Sequence, residues 1–458
     1  MQRMNGLDAS FYLLEDENTP LHVAAVIVME GPAPSYGDLV RLVAAKLPGV
    51  ERYRQRVRSV PLHAGRPVWV DDRHFQILYH VRHTAVPAPG GPDQLRNLAG
   101  RVLAQRLDPK KPLWELYLVE GLEGGGWALI GKVHHCMVDG VAGMDLIASL
   151  FELSPDAPEP EPEHEWRPRP EPSDLELLAD TLVDNVLQPV RLARRLPGDL
   201  AGMVRRAPGV VDYAGGLARQ LSRFTRASAS VLNGPIGPHR RWCWADVALD
   251  DVRKVRKTHG GTVNDVVLAA VTAGFRAQLT GRGDLSPDVV VRSAVPVSTR
   301  TEEERGIPTN RVSAVFVNLP VGQPDPVARL LHIRTQMDDL KSTRQERGAA
   351  QLTKITDTAV APALLVLGAR TPIRLFNPIV QTVTTNVPGP AFPLYILGRR
   401  MVAMYPCVPL AGGIQLATAI FSYLGRLYFG VSADFDGQPD ATVFASGIEA
   451  GVAELLRS

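Results

Sequence analysis

The sequence predicts an α/β protein with two domains built on mixed sheets and joined by a long helical crossover. Three observations support this prediction. Apolar, β-branched runs alternate with segments of helical spacing in both halves of the chain. A proline- and acid-rich stretch at residues 154–172 interrupts that alternation. Finally, 458 residues with 45% hydrophobic content are more than one hydrophobic core normally holds.

The first predicted domain covers residues 1–153. Its strand-like runs are rich in β-branched and apolar residues, and its helical segments repeat apolar residues every three or four positions. The predicted elements are, in chain order, a strand at Leu21–Met29, a helix at Tyr36–Leu47, a strand at Trp127–Val133 and a helix at Met144–Leu153.

Residues 154–240 are predicted to connect the two domains. The proline- and acid-rich part cannot form a core, so we expect an extended, solvated connector. Asp174–Phe224 then shows helical periodicity, with arginines among leucines and valines and with breaks at prolines. Two interpretations stay open: a solvated helical crossover, or a basic amphipathic surface that rests on anionic lipid. The arginines concerned are Arg191, Arg194, Arg195, Arg205, Arg206, Arg219 and Arg223.

The second predicted domain covers residues 241–458 and begins near Trp242. It repeats the alternation of apolar runs and helical segments. The predicted elements are a helix from Thr262 or Asn264 to Leu279, strands at Val289–Val295 and Ser313–Leu319, a helix at Pro326–Arg344, paired strands at Ile414–Ile420 and Leu427–Ser432, and a helix at Asp440–Leu456.

Composition excludes several classes of protein. Charged residues are 21% of the chain and the net charge is +2, so nothing indicates a nucleic-acid partner. Three scattered cysteines cannot form a disulfide framework, which fits a reducing cytoplasm. The N-terminus lacks the continuous apolar region of a signal peptide, and no apolar run is long enough for a transmembrane helix. We therefore expect a soluble or peripheral protein.

The segment His134-His135-Cys136-Met137-Val138-Asp139-Gly140 has the form HHxxxDG and follows the predicted strand at Trp127–Val133. Successive strand side chains point to opposite faces, so one imidazole can face a cleft while the other packs. Asp139 is close enough to fix the local turn, and Gly140 permits backbone conformations that a Cβ would obstruct. A neutral imidazole in a cleft can remove a proton from a hydroxyl group near neutral pH. The pattern therefore indicates a general base.

Other interpretations of the histidine pair have less support. A metal site would need a third ligand, and neither such a ligand nor an HExxH pattern is present nearby. A purely structural pair would not explain the complete pattern after a strand. No GxSxG motif accompanies it, so a covalent serine mechanism has little support.

At this point the chain resembles the superfamily of chloramphenicol acetyltransferase, carnitine acyltransferases and peptide condensation domains, of which HHxxxDG is the signature. Further motifs in family order resemble bacterial wax ester synthase/diacylglycerol acyltransferases. They are Gly6–Phe11 leading through Glu15 to Thr19–Val23, Pro112-Leu113-Trp114, Asn233–Arg241, Asn264-Asp265, Ala294–Ser298 and Thr385–Pro390. The resemblance implies two chloramphenicol-acetyltransferase-like domains with an active-site channel between them.

The resemblance also implies residue roles. His135 would be the base that deprotonates an alcohol attacking the thioester of acyl-CoA, with no acyl-enzyme and no cofactor or metal. His134 would support it. Asp139 would brace the loop through an arginine, for which Arg54 and Arg292 are both candidates.

Several further residues would support the site by resemblance. Asn264 and Asp265 would support it, although a helix N-cap explains them equally well. Glu15 would hold an imidazole tautomer. Pro112, Leu113 and Trp114 would line the acyl channel, although Trp114 could instead pack beneath it.

The implied function is an acyl-CoA-dependent O-acyltransferase that makes triacylglycerol, wax esters or both. Its partners would be acyl-CoA and a diacylglycerol or long-chain alcohol, met at the inner membrane or a lipid droplet. Two alternatives differ in class: a condensation-type acyltransferase acting on a polyketide or carrier-bound acyl group, and a non-catalytic lipid-droplet protein.

Overall fold

The computed structural model describes residues 2–137, 145–158, 166–183, 230–298, 312–347, 380–410 and 412–458. These residues form two six-stranded sheets, one three-stranded sheet and helices that pack on them. Both large sheets combine parallel and antiparallel pairs, so the predicted mixed α/β fold is confirmed.

The first large sheet carries the histidine pair. Its strands in the first half of the chain are β2 (His22–Met29), β5 (Val81–Ala85), β6 (Trp114–Glu120) and β7 (Trp127–His134). β7 is antiparallel to β2, and His134 lies opposite His22 in the register. The small sheet beside it consists of β1 (Gln2–Arg3), β3 (Gln55–Arg58) and β4 (Val68–Asp71).

The second large sheet is formed wholly from the second half of the chain. Its strand order is β10-β9-β11-β14-β15-β8. β11 runs parallel to both β9 and β14, and the other neighbours are antiparallel. The strands are β8 (Arg240–Ala248), β9 (Val291–Ser298), β10 (Val312–Leu319), β11 (Thr382–Val387), β14 (Leu416–Tyr423) and β15 (Arg426–Asp434).

Two strands from the second half of the chain join the first sheet. β12 (Tyr395–Ile396) pairs with β13 (Arg399–Cys407), and β13 pairs antiparallel with β2. Strand pairing therefore crosses the predicted boundary at residue 241. The boundaries at 153 and 240 stay predictions, but the first sheet is completed by residues far beyond both.

The predicted helices form with small changes in their ends. Those expected at Tyr36, Thr262, Pro326 and Asp440 are confirmed, and side chains of Ser35 and Thr262 cap two of them. The helix expected over Met144–Leu153 ends at Ser149, because Glu152 instead forms a β-bridge with Tyr395. The helices are Gly6–Leu14, Tyr36–Lys46, Ile77–His80, Pro92–Ala104, Asp145–Ser149, 174–183, Leu249–His259, Val263–Arg282, Pro326–Arg347 and Ala441–Arg457.

Each large sheet has its own apolar core, and backbones approach closely between the halves. A Cβ at Gly100, on the Pro92–Ala104 helix, would lie 2.6 Å from the Arg240 carbonyl oxygen of β8. A Cβ at Gly430 of β15 would lie 1.8 Å from the Pro406 carbonyl oxygen of β13. Only glycine permits these contacts. Backbone therefore packs against backbone between the two halves of the chain at Gly100, and between the two large sheets at Gly430.

Of the predicted connector, the structure describes residues 154–158, 166–183 and 230–240. Residues 166–172 have no regular secondary structure but are held by ion pairs. The Arg169 guanidinium lies 3.0 Å from Asp71 of β4, and Arg56 of β3 binds the Glu171 carboxylate at 2.7 Å. The predicted arginine-rich helices between residues 184 and 224 lie outside the described residues. Within the described ranges, no helix is both long and apolar enough to cross a membrane.

Candidate active site

The histidine pair lies where β7 ends. The His134 backbone N–H donates to the Leu113 carbonyl (2.9 Å), and the His135 N–H donates to the Leu21 carbonyl (2.8 Å). A short 3-10 helix, His135–Met137, begins immediately after the strand. Neighbouring chain segments therefore hold the two histidine backbones from opposite sides of β7.

The His134 imidazole is buried and has polar contacts at both nitrogens. Nδ1 accepts a hydrogen bond from the Cys136 backbone N–H (3.1 Å), and Nε2 lies 2.7 Å from Oε2 of Glu15. Because Nδ1 is an acceptor, the proton of the neutral ring resides on Nε2, facing the carboxylate. His134 has no nitrogen left for a substrate in this arrangement.

Glu15 follows the Gly6–Leu14 helix, and its carboxylate is 8% exposed. Besides His134, it contacts Arg106 (Oε1 to Nε, 2.8 Å) and approaches His22 (Oε2 to Nε2, 3.7 Å). Burial alone would raise the pKa of Glu15. Contacts with His134, followed by those with His22 and Arg106, instead lower the pKa of Glu15 to about 2. Glu15 thus faces Nε2 of His134, and its part in holding an imidazole tautomer stays a prediction.

The His135 ring is only partly buried and packs against Phe11, with ring centroids 4.0 Å apart. Its Nδ1 atom is buried and has no hydrogen-bond partner among the described residues. Burial lowers the pKa of His135 to about 4. A hydrogen bond with its own backbone acts to raise that pKa, and the neighbouring His134 acts to lower it further. The imidazole is therefore neutral at pH 7 and able to accept a proton.

The Pro112-Leu113-Trp114 motif supports the strand that carries the histidines. The Leu113 carbonyl binds His134, and Trp114 lies opposite Val133 in the sheet. The Trp114 indole N–H donates to the Tyr53 carbonyl (2.7 Å), and its ring stacks on His80 at 4.5 Å. These contacts place Trp114 in the core, so in this conformation it packs rather than lines a channel.

Asn264 and Asp265 lie at the start of the Val263–Arg282 helix. Thr262 is the N-cap, and the fully buried Asp265 completes a capping box by accepting the Thr262 N–H at 2.7 Å. The predicted N-cap is therefore Thr262 rather than Asn264 or Asp265, and Asp265 contributes to the cap from the third position of the helix. Their support of the site stays a prediction.

Asp139 and Gly140 lie outside the described residues, so their predicted roles are not tested. Both candidate arginine partners are buried. Arg54 has its guanidinium 4.9 Å from the Trp166 ring centroid, and Arg292 donates from Nε to Asn318 at 2.8 Å. The choice between them stays open.

Sequence reasoning missed three polar residues at this site. His22 accepts a hydrogen bond from the Leu107 N–H (3.4 Å), Arg106 binds Glu15, and Lys132 lies two residues before His134 on the same face of β7. A histidine and a lysine inside otherwise apolar strands were available as signals, since such groups are rarely buried without a purpose. Nothing in the sequence connects Arg106 to Glu15.

A small pocket lies between the two halves of the chain, where the resemblance implies a channel. Its described lining reaches His22, whose ring centroid is 5.8 Å from that of His134. The lining residues are Pro20, His22 and Leu103 from the first half, and Arg240, Cys407–Leu410 and Ser432 from the second. Within the described residues no cluster of side chains suited to a metal ion occurs.

Two packed mixed sheets with a histidine pair at a strand end define a two-domain acyltransferase of the chloramphenicol-acetyltransferase type. The first half of the chain matches the wax ester synthase/diacylglycerol acyltransferase catalytic domain at residues 4–267, and the C-terminal domain of that family matches residues 309–456. This chain belongs to the wax ester synthase/diacylglycerol acyltransferase family and is an acyltransferase.

Relatives and solved structures agree with this assignment. A protein of Mycobacterium tuberculosis described as a probable diacylglycerol O-acyltransferase is 36% identical over all of this chain and 96% of its own length. The wax ester synthase/diacylglycerol acyltransferase of Marinobacter aquaeolei superposes with a TM-score of 0.70 and 25% identity, covering 99% of this chain and 98% of that one. A condensation domain of the CDA synthetase, at 17% identity and a TM-score of 0.56 over 100% and 96% of the chains, shares the fold.

Proposed function

We propose that this protein transfers an acyl group from acyl-CoA to the hydroxyl of diacylglycerol, a long-chain alcohol, or both. The observation that carries the proposal is that the two imidazoles have different contacts. Both His134 nitrogens are engaged, by a backbone N–H and by Glu15. His135 is neutral at pH 7, and because its Nδ1 is buried, Nε2 is the nitrogen open to a substrate.

In the proposed reaction, His135 Nε2 accepts the acceptor's hydroxyl proton as that oxygen attacks the thioester carbonyl carbon. The carbon–sulfur bond then breaks, the ester forms, and the imidazolium returns its proton to the departing CoA thiolate. Atoms and charge balance without an acyl-enzyme, a metal or a cofactor. General base catalysis supplies about 10²–10⁴-fold of the rate, and the positioning of two bound substrates supplies much of the rest.

The test is an assay of purified protein with palmitoyl-CoA and a panel of acceptors, following free CoA and ester product. CoA release should require an acceptor and equal the ester formed. His135→Ala should lower it about 10²–10⁴-fold without changing the fold, because the proton acceptor is lost. His134→Ala should act more through stability. Normal turnover by a folded His135→Ala protein, or a burst of CoA without acceptor, would contradict the mechanism. Activity should also survive exhaustive chelation.

Peripheral contact with a membrane or lipid droplet forms the second part of the proposal. Leu175 and Leu182 are exposed on the helix at residues 174–183, which leads into the arginine-rich sequence. Two of the three acidic residues of that helix are paired within the protein, Asp174 with Arg58 and Asp180 with Arg3. Each basic side chain near an anionic surface contributes about 1 kcal/mol.

Liposome flotation tests this contact. Replacing Arg191, Arg194 and Arg195 together by Glu should weaken binding to anionic vesicles and lower activity on dispersed diacylglycerol more than activity on a short soluble alcohol. The matched control makes the same change on the solvated Leu249–His259 helix, at Arg253, Arg256 and Lys257. Equal flotation of both triple variants would leave the segment as an ordinary crossover.

A further inference from the structure

The Glu15 carboxylate needs a permanent positive charge beside it. A buried carboxylate loses its hydration, and neutral imidazoles replace that only in part. Burial keeps the pKa of His22 well below its ordinary value, so His22 is neutral at pH 7. Among the described residues, Arg106 is the permanently charged side chain in direct contact with Glu15, at 2.8 Å.

The backbone that carries Arg106 is fixed on both sides. The Gln105 carbonyl accepts a hydrogen bond from Lys132 Nζ (2.8 Å), and the Leu107 N–H donates to His22 Nε2 (3.4 Å). Lys132 is itself buried and paired with Glu115 of β6 at 3.0 Å. The backbone of residues 105–107 is therefore held against β7 and β2. The position of the Arg106 Cα atom, from which the side chain extends, is fixed as a result.

A continuous series of contacts leads from this clamp to the histidine pair. Arg106 holds Oε1 of Glu15, and Oε2 of Glu15 faces His134 Nε2. His134 Nδ1 in turn accepts the N–H of Cys136, inside the short helix from which His135 projects. Each contact restricts the next, although only the last lies in the same turn as His135.

We propose that Arg106 is a positioning residue for the acyl transfer: it fixes Glu15 against His134 and thereby orients the turn that presents His135. The proposal rests on the proposed role of His135 as the base. Arg106 touches neither histidine and acts only through Glu15. Its side chain is 41% exposed, so its replacement need not disturb the core.

The first test compares Arg106→Gln, Arg106→Lys and the control Arg101→Gln in the palmitoyl-CoA assay with a short soluble alcohol. Arg101 is exposed on the preceding helix and has no ion pair within the described part of the chain. Arg106→Gln should lower kcat about 10- to 100-fold, as loss of an orienting partner does, with little change in the KM for palmitoyl-CoA. Arg106→Lys should recover much of that loss, and Arg101→Gln should match wild type.

The pH profile separates positioning from stability. The titratable and charged groups that face Glu15 are Tyr12, His22, Arg106, Lys132, His134 and Cys136. Without Arg106, the pKa of Glu15 should rise from about 2, and protonated Glu15 would no longer hold the His134 tautomer. In the wild type, His135 sets the acid limb of kcat near pH 4, so protonation of Glu15 at a raised pKa should add a second protonation and steepen that limb in Arg106→Gln, and Arg106→Lys should restore the wild-type slope. A merely destabilised protein would lose amplitude but keep the wild-type slope.

A double-mutant cycle completes the test. If Arg106 acts through Glu15, Arg106→Gln should have no further effect in a Glu15→Gln background. Additive losses, or a wild-type rate and pH profile in Arg106→Gln, would overturn the proposal. Failure of the general-base mechanism is recognised separately, because it would appear as normal turnover in His135→Ala whatever Arg106 does.

Discussion

The central strands of the two large sheets bury different kinds of polar side chain. In the first sheet, the two central strands β2 and β7 carry the ionisable residues His22, Lys132 and His134, and the neighbouring β6 adds Glu115. In the second sheet, the two central strands β11 and β14 bury hydroxyls, those of Thr382, Thr384, Thr418 and Tyr423, and the buried ionisable residues Arg292 and Asp434 lie on the flanking strands β9 and β15.

The two sets are satisfied in different ways. Thr382 donates to a backbone carbonyl at 2.8 Å, and Thr384 accepts from Ser293 at 2.9 Å. A buried charge, in contrast, requires a counter-charge or several hydrogen bonds. Neutral hydroxyls therefore occupy the centre of the second sheet at a lower desolvation cost. The costlier ionisable set lies in the sheet that ends at the histidine pair, which is where the proposed reaction moves a proton.

The largest effect in this comparison is expected for Lys132→Met. The substitution removes one of the two cations that contact the buried Glu115, the other being Arg82, and frees the Val102 and Gln105 carbonyls, so the free energy of unfolding should fall by about 3–5 kcal/mol. Denaturant unfolding measures it. The control is Lys46→Met, which breaks a partly exposed pair with Glu152 and should cost at most about 1 kcal/mol. Equal losses would mean that the ionic set is no more critical than a surface pair.

An effect of intermediate size is expected when the free energy of unfolding is measured as a function of pH. Burial lowers the pKa of both His80 and His135 to about 4, below the value of about 6.5 in an unfolded chain. Between pH 4 and 6.5 the unfolded state binds more protons, so the free energy of unfolding should rise with pH there and level off above about 6.5. Each histidine contributes up to about 3 kcal/mol.

Urea unfolding between pH 4.5 and 7.5 checks this slope, and His80→Gln should reduce it because one of the histidines with a lowered pKa, which also include His22, is removed. An identical slope in the variant would show that His80 does not contribute. The rate should follow the same direction for a different reason, since acyl transfer fails when His135 becomes protonated as the pH falls through about 4.

The smallest effect is expected in the second sheet. Thr384→Val removes the acceptor of the Ser293 hydroxyl and should cost about 1 kcal/mol of stability. The pH dependence of the rate should not change, because no ionisable group is involved. Thr384→Ser, which keeps the hydroxyl, is the matched control. A displaced pH profile in Thr384→Val would remove the distinction between the sheets.

Local patterns predicted most of the regular elements. The strand at Leu21–Met29, the helix at Tyr36–Leu47 and the hairpin near residues 414–432 are recognisable because periodicity depends only on neighbours in sequence. Alternation along β7 also predicted that one histidine packs while the other stays available. The helix predicted to reach Leu153 ends earlier, at Ser149. Glu152 instead pairs with Tyr395, about 240 positions away.

Long-range contacts could not be predicted in this way. The pairing of His22 with His134 depends on the register of two strands more than 100 residues apart, and the Arg106–Glu15 contact joins two loops. Resemblance identified Glu15 as a site residue, but only the register and the turn show which imidazole it faces. The insertion of β13 into the first sheet carries no local signal, since Pro406 and the arginines at Arg399 and Arg400 weaken its strand pattern.

The insertion of β13 also bears on how the chain is made. During synthesis, residues 22–134 emerge long before residue 407, so β2 is at first an open edge of the sheet. Its sequence, HVAAVIVM, is almost wholly apolar, which makes an unpaired edge prone to join another chain. Nascent or truncated chains that stop before β13 are therefore expected to need a chaperone. The first sheet is complete only when β13, from the last third of the chain, pairs with β2 from the first third.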